Sequence, residues 1–176
     1  MISEAIYEVV GRRSNRILLF AAASNLGGNR REMFPASHDA VISVRATNAD
    51  GAFLDSNPPA DPYGPVVYGT LGKDVPSAWL SNVDGELSKS GSSIATAVAA
   101  GIAAMMLEFA NVGFSSAEFH LPPEVKRLWT KRGMLALFAK MSQDMGNRSF
   151  FISPARFFAE RNHIGAWAAM IDACVY

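Results

Sequence analysis

At 176 residues the chain is sized for one domain with its own core, and a hydrophobic fraction of 49% fits a globular protein. Sixteen basic and sixteen acidic side chains cancel, which excludes the one-signed field of a protein that binds nucleic acid or anionic membrane. The single cysteine, Cys174, excludes an intrachain disulfide and suits a reducing compartment.

The first residues, Met1-Ile2-Ser3-Glu4, carry an acid where a secretory leader starts basic. The uncharged run Ile94 to Leu107 falls short of the ~18 apolar residues that span a bilayer. A cytoplasmic protein without a membrane anchor is expected.

Ser3 to Val10 has helical spacing, with Ile2, Ile6, Val9 and Val10 on one side, and Gly11 to Asn15 breaks it. Ile17 to Ala23 is a short continuous apolar run, suited to a strand covered on both faces, as in a parallel sheet. Helix, turn and buried strand is the rhythm of an α/β fold. The strand ends at Ser24-Asn25-Leu26-Gly27-Gly28-Asn29, and sites in open parallel sheets gather at such carboxyl ends. Asn25 reads either as a turn residue or as an uncharged amide donor aimed at an oxyanion. Asn48 to Gly51 is a turn, and Pro58, Pro59, Pro62 and Pro65 stiffen a loop. Val66 to Gly72 is a further strand and turn. Asp39, Asp50, Asp55 and Asp61 lack the spacing of a calcium loop and read as turn residues. No His/Cys cluster has zinc spacing, and no glycine-rich phosphate loop with its lysine is present, so neither metal nor cofactor is expected.

Ser90-Gly91-Ser92-Ser93 is a polar turn feeding an alanine-rich helix. Its uncharged run predicts a helix buried on all sides, with Gly101 where a neighbour comes close. Ser93 reads either as a capping residue or as a nucleophile at a helix N-terminus, where amide N–H groups and the dipole favour developing negative charge. After Glu108 the pattern predicts a short helix from Pro122-Pro123 to Trp129, a second over Gly133–Ser142, a third opened by Ser153-Pro154, and a last over Ile164–Val175. Phe150, Phe151, Phe157 and Phe158 read as packing residues.

Gly91-Ser92-Ser93-Ile94-Ala95-Thr96-Ala97-Val98-Ala99-Ala100-Gly101 resembles the serine motif of the subtilisin-like serine peptidases, Gly-Thr-Ser-x-Ala-[Thr/Ser]-[Pro/Ala]-x-x-Ala-Gly. Ser93 falls on the nucleophile, and Ser92 replaces the usual threonine. Ala21-Ala22-Ala23-Ser24-Asn25-Leu26-Gly27 is similar to the family's Ala-Ala-Ala-Gly-Asn-x-Gly segment, whose Asn lines the oxyanion hole. Ser24 departs from the usual glycine, at a strand end that shapes the pocket for the substrate residue before the scissile bond. Phe34-Pro35-Ala36 and the following Val41–Ala46 resemble the Tyr-Pro-Ala segment and its Val-Ile-x-Val-x-Ala strand. Lys73 to Trp79 is a looser version of the Ala-Pro-Gly loop. The tail resembles C-terminal segments of fungal intracellular subtilases, which often belong to larger multidomain chains.

The resemblance implies an α/β fold: a partial, doubly wound, subtilisin-like parallel sheet. Residues 1–115 are expected to form the C-terminal half of a catalytic domain, and 116–176 a helical extension packed on it. It implies a serine endopeptidase acting on peptide or protein substrates, with Ser93 as nucleophile and Asn25 in the oxyanion hole.

A serine hydroxyl needs a base, normally a histidine oriented by a carboxylate. The family's Asp and His-Gly-Thr motifs precede the Asn segment and are not in this chain. His38, His120 and His163 match no base position. The chain is therefore expected to be inactive alone, its partner being the N-terminal half or a larger chain. A non-catalytic binding or regulatory module is the alternative. A third reading makes Gly91-x-Ser93-x-Ala95 an α/β-hydrolase elbow with Asp144 and His163, but an elbow needs a strand immediately before its serine. The polar segment Asn82–Ser90 does not predict one.

Overall fold

The computed structural model describes residues 2–13, 16–77, 87–116 and 123–175. Three parallel strands, β1 (Leu19–Ala22), β2 (Val41–Thr47) and β3 (Val67–Leu71), lie side by side. Beyond a small antiparallel ribbon of β4 (Val75–Ser77) and β5 (Leu87–Lys89), the chain enters helix α2 (Ser92–Ser116). A 3-10 helix over Pro123–Trp129 leads to α3 (Lys131–Met141), and a hairpin, β6 (Ser142–Asp144) and β7 (Ser149–Ile152), follows. Strand β7 runs parallel beside β3, giving the sheet order β1-β2-β3-β7-β6. Helices α4 (Pro154–Ala159) and α5 (His163–Val175) close the chain, and α1 (Ile2–Arg12) precedes β1.

Alternation along β2 divides the core between two faces. Ile42, Val44 and Ala46 join Ala95, Ala99, Ala103, Met106 and Ala110 of α2 in the main cluster. Val41 belongs to a smaller cluster with Ala21 and Ala36, against which Ile6 of α1 packs. Helices thus cover both faces of a mostly parallel sheet, the layering of a doubly wound α/β fold.

The structure corrects the sequence reading at several points. Helix α2 is not buried all round. Its buried residues Ala95, Ala99, Ala103, Met106 and Ala110 recur three or four positions apart and form one stripe. Ser93, Ala97, Gly101, Ala104 and Met105 face outward, and a Cβ at Gly101 would meet nothing within 4 Å. The helix also runs on past Glu108, so Ser92–Gly113 is long and apolar enough to cross a membrane by length and composition. Its packing across β1, β2 and β3 is a separate use for that apolarity.

The segment after residue 116 is not purely helical, since it supplies β6 and β7 to the sheet. Phe150 and Phe151 pair with Tyr68 and Gly69 of β3 as strand residues. Leu128, Met134, Leu137, Phe138, Phe157 and Met170 share the main cluster with β2 and α2. Proline stands at the first turn of α4, but the Ser153 side chain makes no capping bond. A strand, β5, does precede Ser90. Residues 82–86 of the segment read as non-strand lie outside the described residues, as do Ala78 and Trp79.

Candidate active site

The site is built where three strands end. The last β1–β2 ladder bond is the Ala23 N–H to the Val44 carbonyl, 3.0 Å. The chain then turns at Ser24, whose φ of +155° lies in the region glycine favours. The turn is held by Gly27, whose N–H donates to the Ser56 carbonyl at 2.8 Å. At the end of β3, the Gly72 carbonyl accepts the Gly91 N–H at 2.7 Å. A Cβ on Gly72 would lie 2.8 Å from the Ala46 Cβ and 2.9 Å from the Ala95 Cβ and the Gly91 carbonyl. Glycine is what lets β3 finish against the mouth of α2.

Asn25 projects from the β1 turn onto that mouth. Its Oδ1 accepts the Ser92 N–H at 2.7 Å and the Ser92 hydroxyl at 2.9 Å. The same hydroxyl lies 3.2 Å from the Ser24 carbonyl. A Cβ on Gly91, which sits at φ +139°, would approach the Asn25 Nδ2 to 3.0 Å. Ser92 is fully buried, while Asn25 and Ser93 are exposed. The two predicted site residues are therefore brought to neighbouring positions, with Asn25 bonded to the residue before Ser93. Among the described residues nothing hydrogen-bonds the Asn25 Nδ2 or the Ser93 hydroxyl.

Ser93 occupies the first turn of α2, where Asn25 takes the Ser92 N–H and the Gly91 carbonyl takes those of Ile94 and Ala95, which leaves the Ser93 N–H without an acceptor among the described residues. No acidic side chain stands in that turn to neutralise the positive end of the helix dipole. Among the described residues, an uncharged amide donor, the unpaired Ser93 N–H and the Ser93 hydroxyl therefore share one corner. That combination can polarise a carbonyl and stabilise the oxyanion formed when a hydroxyl adds to it.

No histidine reaches this corner among the described residues. His38 Nδ1 accepts the Ala40 N–H at 3.1 Å, and its ring packs 4.6 Å from that of Tyr7. Its Nε2 is buried without a partner. His163 stacks on Phe109 with ring centroids 6.2 Å apart. Asp144 caps its own hairpin by accepting the Gly146 N–H at 2.8 Å. His120 lies outside the described residues. The hydrolase elbow fails on topology, because among the described residues β5 pairs with β4 alone and lies outside the five-stranded sheet. No three His, Cys, Asp or Glu side chains cluster among the described residues. A groove of about 660 Å³ beyond the turn is lined by Asn29, Arg45, Asn57, Pro58 and Arg148, and includes neither Asn25 nor Ser93.

Sequence reasoning missed three contributors. The grip of Ser92 on Asn25 had one signal, a hydroxyl standing where the family has threonine. Gly72 looked like an ordinary turn residue. Asn57, in the Ser56-Asn57-Pro58 loop, carries three hydrogen bonds, two of them buried, that no local pattern announces.

No protein-family model matches this sequence, and no curated protein matches it significantly. Solved structures do. The self-cleaved protease domain of PatA matches 94% of this chain and 54% of its own, with 25% identity and a TM-score of 0.60. The prenylagaramide maturation protease PagA matches 96% of this chain and 66% of its own, at 22% identity and a TM-score of 0.60. The PatG macrocyclase domain matches 96% of this chain and 46% of its own, at 16% identity and a TM-score of 0.62. The chain spans about half the length of the PatA and PatG structures. Over that span it has the subtilisin-like α/β fold, the fold of a peptidase-type domain.

Proposed function

We propose that this chain is the nucleophile-bearing part of a subtilisin-like serine endopeptidase domain. Ser93 Oγ attacks the carbonyl carbon of a peptide bond as its proton passes to a base. The Asn25 Nδ2 and the Ser93 N–H donate to the resulting oxyanion. Collapse of that intermediate expels the amine and leaves an acyl group on Ser93, which water then removes. The base and its orienting carboxylate come from another segment, because Ser93 has no histidine partner among the described residues. That segment, the counterpart of the N-terminal half of the domain, is the partner this reading requires.

The reading is carried by one observation. The Asn25 carboxamide is bonded through its oxygen to Ser92, the residue before Ser93, and among the described residues its two N–H protons have no partner. A turn-forming asparagine would satisfy its own turn instead.

The test is labelling with a biotinylated fluorophosphonate. The isolated chain is expected to label negligibly, since the nucleophile lacks its base. The chain joined to in-frame upstream coding sequence carrying an Asp and a His-Gly-Thr segment is expected to label at Ser93, and Ser93→Ala to abolish it. Robust Ser93-dependent labelling of the isolated chain overturns the divided-site reading. If the joined form folds and stays unlabelled, the binding-module alternative replaces the peptidase.

A further inference from the structure

We infer that Ser92 is a positioning residue for the oxyanion-stabilising amide of Asn25, acting through Asn25 rather than on the oxyanion. This rests on the peptidase reading above. An asparagine amide can turn end for end about its last torsion at little cost, and only its nitrogen donates. A donor function therefore needs something that fixes which end faces the substrate. In this chain Ser92 supplies it twice. Its N–H and its hydroxyl both donate to Oδ1, at 2.7 Å and 2.9 Å, which fills the two lone pairs of that oxygen. Flipping the amide would set its N–H groups against the Ser92 N–H and leave the Ser92 hydroxyl only the more distant Ser24 carbonyl as acceptor.

The hydroxyl's single proton is committed within this turn. Its acceptors are Asn25 Oδ1 and, farther off at 3.2 Å, the Ser24 carbonyl. With Ser92 fully buried, that proton has no path to an incoming carbonyl. The neighbouring backbone closes around the same contact. A Cβ at Gly91 would lie 3.0 Å from the Asn25 Nδ2 and 3.2 Å from its Oδ1, so glycine is what lets the helix mouth come up against the amide. Ser92 also helps pin Ser24, which sits at an unfavourable φ of +155°. Its hydroxyl thus ties the strained turn to the helix mouth.

The decisive measurement needs no catalysis. In the ¹⁵N-labelled chain, the Asn25 side-chain amide is expected to be as rigid as nearby backbone by heteronuclear NOE. Ser92→Ala is expected to lower that rigidity, and Ser92→Thr to restore it. An Asn25 amide as rigid in Ser92→Ala as in the parent, with the backbone spectrum unchanged, overturns the proposal. If Ser92→Ala does not fold, Ser92→Val fills the space without donating and is read in the same way. In the labelling-competent joined form, Ser92→Ala is expected to lower kcat about three- to tenfold at unchanged KM. In an Asn25→Ala background it is expected to cost nothing further. Full additivity means that Ser92 acts on the oxyanion directly, and overturns the proposal. Failure of the peptidase reading looks different, since Ser93 then goes unmodified in the joined form while the NOE result stands.

Discussion

Asn57→Ala should be the most informative single change for the scaffold beneath this site. A parallel ladder would pair the Ala46 N–H with the carbonyl of Ala23, one step past the Ala23–Val44 bond. The chain leaves the sheet there, and the Ala23 carbonyl accepts the Met33 N–H instead, at 3.0 Å. Asn57 replaces the missing strand residue. Its Oδ1 accepts the Ala46 N–H at 2.9 Å, and its Nδ2 donates to the carbonyls of Ala46 at 2.7 Å and Leu54 at 2.8 Å. The residue is 7% exposed. The Ala46 carbonyl keeps a second donor, the Leu54 N–H at 3.1 Å. The Ala46 N–H keeps none from this loop. Three bonds at about 1 kcal/mol net each, with one buried N–H orphaned, give a loss of about 3 to 4 kcal/mol. That is a large share of the roughly 5–15 kcal/mol that holds a domain together. Urea unfolding followed by circular dichroism measures it as a fall in midpoint at unchanged slope. Asn57→Asp keeps the acceptor but sets a buried carboxylate oxygen against the carbonyls of Ala46 and Leu54, so it should cost at least as much as alanine. A loss below about 1 kcal/mol for Asn57→Ala would refute the claim that this side chain stands in for a strand.

Three further outcomes follow from the same geometry. Gly91→Ala places a Cβ 3.0 Å from the Asn25 Nδ2 at a φ of +139°, and should cost about 1–3 kcal/mol in urea unfolding while shifting the Asn25 side-chain amide resonances. Burial raises the Tyr68 phenol above its usual 10.0, so its contribution is intact below pH 10 and is lost as pH rises through the folded value. Between pH 9 and about pH 11 the parent should therefore lose stability more steeply than Tyr68→Phe. The lowered Lys131 works the other way but is common to both proteins, and parallel curves would contradict the assignment. Burial likewise raises the thiol of Cys174, which is 1% exposed, so iodoacetamide should modify the native chain at least about a hundredfold more slowly than the urea-unfolded one.

What the sequence revealed and what it hid divide along physical lines. Ile17 to Ala23 declared a buried parallel strand because a strand covered on both faces must be apolar throughout. The alanine run after Ser93 declared a helix but misled on its surroundings. An uncharged stretch reports what a helix can bury, and α2 buries a stripe of alanines while Ala97, Gly101 and Ala104 face outward. Strands β6 and β7 stayed hidden because Ser142–Asp144 is polar and three residues long, and Ser149–Ile152 earns its place only by pairing with β3 across some eighty positions. Strand β5 was hidden likewise, its pairing set by β4 rather than by its own residues.

The site itself divides in the same manner. Asn25 and Ser93 could be singled out because each stands in a recognisable run of neighbours. The residues that bring them together could not. Gly72 is required only because β3 ends against Ala95 of α2, and that contact exists only in the folded chain. Asn57 is required only because the chain leaves the sheet at Ser24 and abandons an N–H on β2. Ser92 is the instructive middle case. A serine beside another serine at a helix start reads as a cap, yet its hydroxyl turns away from its own helix to hold an amide 67 positions earlier. Groups that meet a substrate must be particular kinds of residue in any fold. The groups that aim them are particular only to this packing, so a substitution at Ser92, rather than at Asn25 or Ser93, separates a site assembled by design from two polar residues that happen to be neighbours.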